Sequence, residues 1–328
     1  MAYTTIDDPS AYFQTDLYTG DGSTTQAQTF DGNSDMQPNM VWIKERSEAR
    51  SHVLFDSVRG VTVQLNVNDT ASDATVSDSL KVFGSDGYSV GPNNSTGKGS
   101  QTYVAWAWKE SATAGFDIVS FTGSGSQRTV AHNLGVKPSM IWVKNRDETE
   151  NWIVYDKFNT ADNFMALNLN SATAASSSMF NVEPTTSVFT VNSSNASNKS
   201  SSAMIAYCFA DVKGYSKVGT YTGNGNADGS FIHTGFKPAW VMTKRTDATQ
   251  NWEIYDSKRS PLNDGNNERL RANLSNAEDS QNGCDFFSSG FKWRDSNDSK
   301  NTSGATYVYL AFAEQPFVTS TGVPTTAK

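Results

Sequence analysis

Three aspartates recur one hundred residues apart, Asp56, Asp156 and Asp256. Arginine follows two of them, in DSVRG (Asp56–Gly60) and DSKRS (Asp256–Ser260), whereas the middle one sits in DKFNT. Carboxylates can cleave a glycosidic bond only as a pair placed across a sugar. A carboxylate present in every copy fits another task. It fixes a turn, or it pairs with Lys44, Lys144 or Lys244, which recur in step with it. The histidines are His52, His132 and His233, and no nucleophile motif such as G-x-S-x-G accompanies them. His132 and His233 precede equivalent hairpins, which suits turn residues; His52 falls where the other copies have Trp152 and Trp252. NGNADGS (Asn224–Ser230) begins like a calcium loop, but Gly235 stands where such loops need a carboxylate. A hairpin or Ω-type turn is the simpler reading, and a surface Ca²⁺ stays open as the alternative. Cys208 aligns with Ala107 and Ala311, so it reads as a small buried hydrophobe. Cys284 has no counterpart, and two cysteines make no disulfide framework.

These residues ride on a threefold internal repeat. KPSMIWVKNRDETENWIVYDK (Lys137–Lys157) alternates apolar and polar residues on either side of a charged turn, the pattern of a β-hairpin. QPNMVWIKERSEARSHVLFDS (Gln37–Ser57) and KPAWVMTKRTDATQNWEIYDS (Lys237–Ser257) repeat it, with Pro38, Pro138 and Pro238 in register. Each copy opens on an aromatic-Thr-Gly-x-Gly turn: YTGDG (Tyr18–Gly22), FTGSG (Phe121–Gly125) and YTGNG (Tyr221–Gly225). FDIVS and YSKVGT mark the strand before that turn in the second and third copies. Each copy closes on YVAWAW (Tyr103–Trp108), MIAYCF (Met204–Phe209) or YVYLAF (Tyr307–Phe312). These closing segments are apolar at both alternating positions, as expected of central strands covered on both faces.

Short strands separated by Gly and Asn turns predict an all-β protein of three tandem β-sandwich units, jelly-roll or concanavalin-like, of about 100 residues each. The expected boundaries are an arm over 1–16, units over 17–110, 115–212 and 215–317, and a tail over 318–328. VNSSNASNKSSS (Val191–Ser202) reads as a solvated hairpin loop. The net charge of −8 offers no basic stripe for nucleic acid. No apolar run has the roughly 18 residues that a membrane helix needs. MAYTTIDDPSAYF lacks the basic and apolar regions of a signal peptide, so synthesis in a reducing cytoplasm is expected. The aromatic content of 12% supplies core and could supply sugar-stacking platforms.

The phrases TTIDDPSAYFQTDLYTGDGS, YVAWAWK, AHNLGVKPSMIWVKNRD, YTGNGNADGSFIHTGFKPAWVMTKRTD and TYVYLAFAEQPF resemble a repeat-built protein common in bacteriophages of marine bacteria. The resemblance runs from Thr4 to Phe317. It implies a virion structural component, of tail-fibre, receptor-binding or head-decoration type, made in the host cytoplasm. Its partners would be other virion proteins, a host surface glycan or receptor, and further copies of itself in a homo-oligomer. It brings no catalytic residues and no cofactor; a glycan depolymerase is the enzymatic alternative. Binding is then expected in residues that differ among copies. SPLNDGNNER (Ser260–Arg269) offers Asn263, Asp264, Asn266 and Asn267, and DSNDSKN (Asp295–Asn301) offers Asp295, Asn297 and Asp298. Tyr12 and Phe13 of the arm are expected to dock on a neighbouring virion protein, with the third copy facing outward.

Overall fold

In the computed structural model, which describes residues 2–261, 263 and 265–325, the chain is an all-β sandwich protein. Three six-stranded antiparallel sheets share one strand order. In the first, Phe13–Thr19 lies at one edge, followed by Thr102–Trp108, Met40–Glu45, Val53–Asp56, Val63–Asn66 and Ala74–Thr75. The second runs Phe116–Thr122, Ala203–Phe209, Met140–Asn145, Ile153–Asp156, Asn163–Ala166 and Ala174–Ala175. The third runs Ser216–Thr222, Thr306–Pro316, Phe236–Arg245, Glu253–Asp256, Asn267–Arg271 and Asp279–Gln281. The closing segments are therefore second from the edge and paired on both sides, and they are buried along nearly their whole length.

Side chains alternate between the two faces of a strand, so each large sheet packs on both of its faces. On the outer face of the first sheet, Val41, Ile43, Phe55 and Ala105 pack with Leu80, Tyr88 and Val90 of a small three-stranded sheet. Ile141, Tyr155, Ala206 and Cys208 of the second sheet pack with Val130 and Phe189 of a two-stranded one. The inner faces meet one another. Trp42 and Trp142 stand with ring centroids 5.9 Å apart. Trp108 reaches Trp240 at 5.8 Å, and Phe209 reaches Phe312 at 6.0 Å. Each such ring contributes about 1.5–3 kcal/mol by leaving water.

The sheets also join edge to hairpin, in a closed ring. Asp73 N–H donates to Arg146 O at 2.9 Å, Thr173 N–H to Thr246 O at 2.9 Å, and Glu278 N–H to Arg46 O at 2.9 Å. Ion pairs reinforce two of the three junctions: Arg146 with Asp73 at 2.7 Å, and Arg46 with Glu278 at 2.6 Å. The third junction has Thr173 and Thr246 instead.

The recurring Gly-x-Gly turn has a steric cause. A Cβ on Gly20, Gly123 or Gly223 would stand 2.3, 2.0 or 2.2 Å from a carbonyl oxygen of the loop ahead of the closing strand. The second glycine holds positive φ, +72° at Gly22, +71° at Gly125 and +67° at Gly225.

Several expectations are corrected. The first strand begins at Phe13, inside the segment expected to be an arm, and Phe13 is buried and stacked on Phe312. Ile6 is buried as well, so the segment ahead of the strand is anchored to the core at that residue. Residues 318–325 are not a free tail: Val318 bridges Pro324, and Ser320 N–H donates to Asp7 at 2.6 Å. The segment read as a solvated loop holds a short helix, Asn195–Asn198, with Ser197 and Asn198 buried.

Candidate binding site

The recurring polar residues are committed to the fold. Asp56 Oδ1 accepts from Arg59 N–H at 2.8 Å, and Oδ2 accepts from the Arg59 Nε at 2.5 Å. Asp256 and Arg259 repeat this at 2.8 and 2.6 Å. Each aspartate also accepts a donor from the next sheet: Tyr207 hydroxyl to Asp56 at 2.6 Å, and Trp106 indole to Asp256 at 3.0 Å. Leu310 holds the corresponding place in the third closing strand, opposite Met242, as Trp106 is opposite Trp42 and Tyr207 opposite Trp142. Leucine has no donor. The remaining aspartate, Asp156, has Asn159 where the others have arginine, bonded at 2.6 Å, and burial raises its carboxyl pKa. Interface donor and arginine are thus present together or absent together. The three lysines do not pair with these aspartates. Lys44, Lys144 and Lys244 donate instead to Glu45, Asn145 and Arg245 carbonyls at 2.5, 2.7 and 2.5 Å, and burial pushes each down to about 8.

His52 Nδ1 accepts from the Trp42 indole at 3.0 Å, so that nitrogen carries no proton, and burial holds the ring's pKa well below its usual value. His132 Nδ1 accepts from Leu134 N–H at 3.3 Å within its turn. Cys208 and Cys284 are free and buried, and burial raises both thiols. NGNADGS is a run of Asx turns, Asn226 N–H on Asn224 at 3.0 Å and Asp228 N–H on Asn226 at 2.9 Å. Asp228 is neutralised by Lys292 at 2.6 Å and Arg294 at 3.1 Å. No cluster of three metal-ligating side chains occurs among the described residues.

The variable loops of the third sheet converge in part. A shallow polar groove of about 530 Å³ is lined by Asn266, Ser280, Gln281, Asn282, Asp295 and Asn297. Three residues expected at a binding site, Asn266, Asp295 and Asn297, are therefore brought together from segments thirty residues apart. The Asp295 carboxylate is paired with Lys300 at 2.7 Å, so the groove presents amides and hydroxyls, with its one carboxylate neutralised. Such a lining can exchange hydrogen bonds with sugar hydroxyls.

The other expected residues lie elsewhere. Asn263 bonds the Phe286 backbone in both directions at 2.9 Å and lines a separate cavity with Lys237 and Pro261. Asn267 is buried, accepting from Cys284 N–H at 2.7 Å. Asp298 accepts from the Thr302 hydroxyl at 2.5 Å. Asp264 lies outside the described residues. Tyr12 is half-buried, edge-on to Tyr215, and with Phe13 in the core neither forms a free docking patch.

The aromatic platforms are not where the tryptophans are. All eight tryptophans are among the fully buried side chains. The exposed rings are Phe158, Phe231, Phe287 and Phe317, at 47%, 48%, 36% and 39% exposure. A sequence signal for Phe158 exists: it occupies the turn where the other copies have Val58 and Lys258, not a strand position.

With this geometry in view, the chain belongs to the family described as a domain of unknown function, DUF7483, whose pattern matches residues 8–316. No curated protein matches the sequence. No helix among the described residues is long and apolar enough to cross a membrane.

Proposed function

We propose that this chain is a bacteriophage virion structural protein, a compact knob that serves assembly or host-surface adhesion. One observation carries the binding part of this reading. The polar residues that recur are consumed inside the fold, while residues peculiar to the third sheet line an open polar groove. Binding on loops held by a rigid scaffold follows the usual division of labour in β-sandwiches. The virion part is supported by the resemblance of the repeated phrases from Thr4 to Phe317.

Mass spectrometry of purified particles from the producing phage tests the virion part, which requires the protein in stoichiometric amount. Asn266→Ala with Asn297→Ala should then leave incorporation intact and weaken attachment to host cells. Unchanged attachment would favour a capsid decoration protein with no receptor role. New reducing ends from host polysaccharide would instead favour the depolymerase.

A further inference from the structure

We propose a second binding site, a groove between the second and third sheets that takes a hexopyranose unit of a glycan. The groove encloses about 420 Å³, within the range of small-ligand sites. Its floor is the edge strand Ser216–Thr222, through Gly219, Thr220 and Thr222, together with Tyr309. Phe158 of the second sheet and Phe231 of the third also line it. Both rings are nearly half exposed, at 47% and 48%. Each is braced. Lys157 holds its ammonium 5.1 Å from the Phe158 centroid and pairs with Asp211. Phe231 packs edge-on against Phe287 at 5.9 Å.

Tyr309 is the independent pointer to a ligand. It is only 2% exposed, it lines the groove, and its hydroxyl has no hydrogen-bond partner among the described residues. A Cβ on the facing Gly219 would stand 2.3 Å from that hydroxyl. The phenol therefore lies across the bare glycine backbone at the floor. The corresponding pairs in the other sheets are Ala105 with Asp16 and Ala206 with Val119. There the small residue is on the closing strand. In the third sheet the sizes are exchanged, Tyr309 with Gly219, and the exchange delivers a hydroxyl to the groove.

A pyranose has an apolar C–H face and a rim of hydroxyls. The phenylalanine faces match the first. Tyr309, Thr220, Thr222 and Ser230 offer hydroxyls to the second. Lys217 donates to His233 O at 2.7 Å and keeps further N–H groups for a sugar oxygen. No carboxylate lines the groove, so it holds a sugar without the acid pair needed to cleave it. This site deepens the adhesion reading by naming its ligand class, but it is tested on the purified chain, independently of particles and cells.

The experiment is isothermal titration calorimetry of the full chain with maltohexaose, cellohexaose, mannohexaose and, as the acidic arm, hexagalacturonate. At least one probe should bind with Kd of roughly 0.1–1 mM, the range of a small contact with few anchors. Phe158→Ala and Phe231→Ala should each weaken it about tenfold, and Tyr309→Phe several-fold without moving the unfolding midpoint. Asn297→Ala, in the separate polar groove, should leave the affinity unchanged. The inference is overturned if no probe binds below about 10 mM, if the Phe158→Ala/Phe231→Ala double variant still binds as wild type, or if Asn297→Ala alone abolishes binding. Loss of attachment or incorporation in the particle assays, with saccharide binding intact, would count against the proposed function only.

Discussion

Arg59→Ala should be among the most damaging single substitutions in the chain. The Arg59 and Asp56 side chains are fully buried, with Nε 2.5 Å from Oδ2. The guanidinium also donates to the Leu54 and Val63 carbonyls, at 3.0 Å each. Truncation leaves Asp56 with the Arg59 backbone N–H and the Tyr207 hydroxyl as partners, and no counter-charge. Breaking a buried pair from one side costs about 3–5 kcal/mol. Tyr207→Leu removes a neutral donor to a carboxylate that keeps its arginine, and should cost about 1.5–3 kcal/mol. The double variant Arg59→Asn/Tyr207→Leu copies the environment of Asp156, which has Asn159 and, by position, Leu310. It should therefore cost less than the sum of the two single changes, with a coupling of about 0.5–3 kcal/mol. Urea unfolding followed by near-ultraviolet circular dichroism measures all of these. A loss under about 1 kcal/mol for Arg59→Ala, or strict additivity in the cycle, would refute the view that arginine and interface donor act as one unit.

Cys208→Ala should shift stability by about 1 kcal/mol or less, since alanine already fills this place in the other sheets, whereas Cys208→Asp should cost about 3–5 kcal/mol as an unpaired buried carboxylate. Equal tolerance in urea unfolding would contradict the burial of that strand. Stability should rise as pH goes from 8 to about 9. Lys44, Lys144 and Lys244 start to lose their protons near 8 when folded but keep them to about 10.5 when unfolded, so the unfolded chain binds more protons over this interval. Above about 9 the gain is opposed, because the buried Cys208 and Cys284 thiols ionise first in the unfolded chain. A flat or falling urea midpoint between pH 8 and 9 would show that the lysines are not desolvated.

The sheet architecture was legible where one residue pattern admits one structure. YVAWAW, MIAYCF and YVYLAF are apolar on both faces, and a strand of that kind must be covered twice. The first edge strand was not legible, because FQTDLYT carries Thr15 and Asp16 where its counterpart in the second sheet has Ile118 and Val119. Its polar groups are satisfied at long range. Gln14 accepts from Gly32 N–H at 2.9 Å, and Asp16 from the Tyr88 hydroxyl at 2.8 Å. The polar groove was half legible: loop composition singled out Asn266, Asp295 and Asn297, but Asn267 and Asn263 have the same composition and serve the backbone. The aromatic groove was hidden, since Phe158, Phe231 and Tyr309 come from separate segments and its floor depends on an exchange of sizes between paired strands. Exposure of a ring is a property of the assembled sheets.

The closed ring has a consequence for how the chain is made. Its last ion pair joins Arg46 to Glu278, 232 residues apart. At a synthesis rate of about 5–20 residues per second, roughly 12–46 s separate the emergence of the two partners. For much of that interval the first sheet lacks part of its cover: Trp106 and Trp108 face a third sheet that has still to be translated. Contacts of such long sequence separation form late and slowly. A nascent chain that stalls before Phe236 would leave those indoles without the partner strand that carries Trp240, so premature termination yields sticky fragments, not smaller working domains.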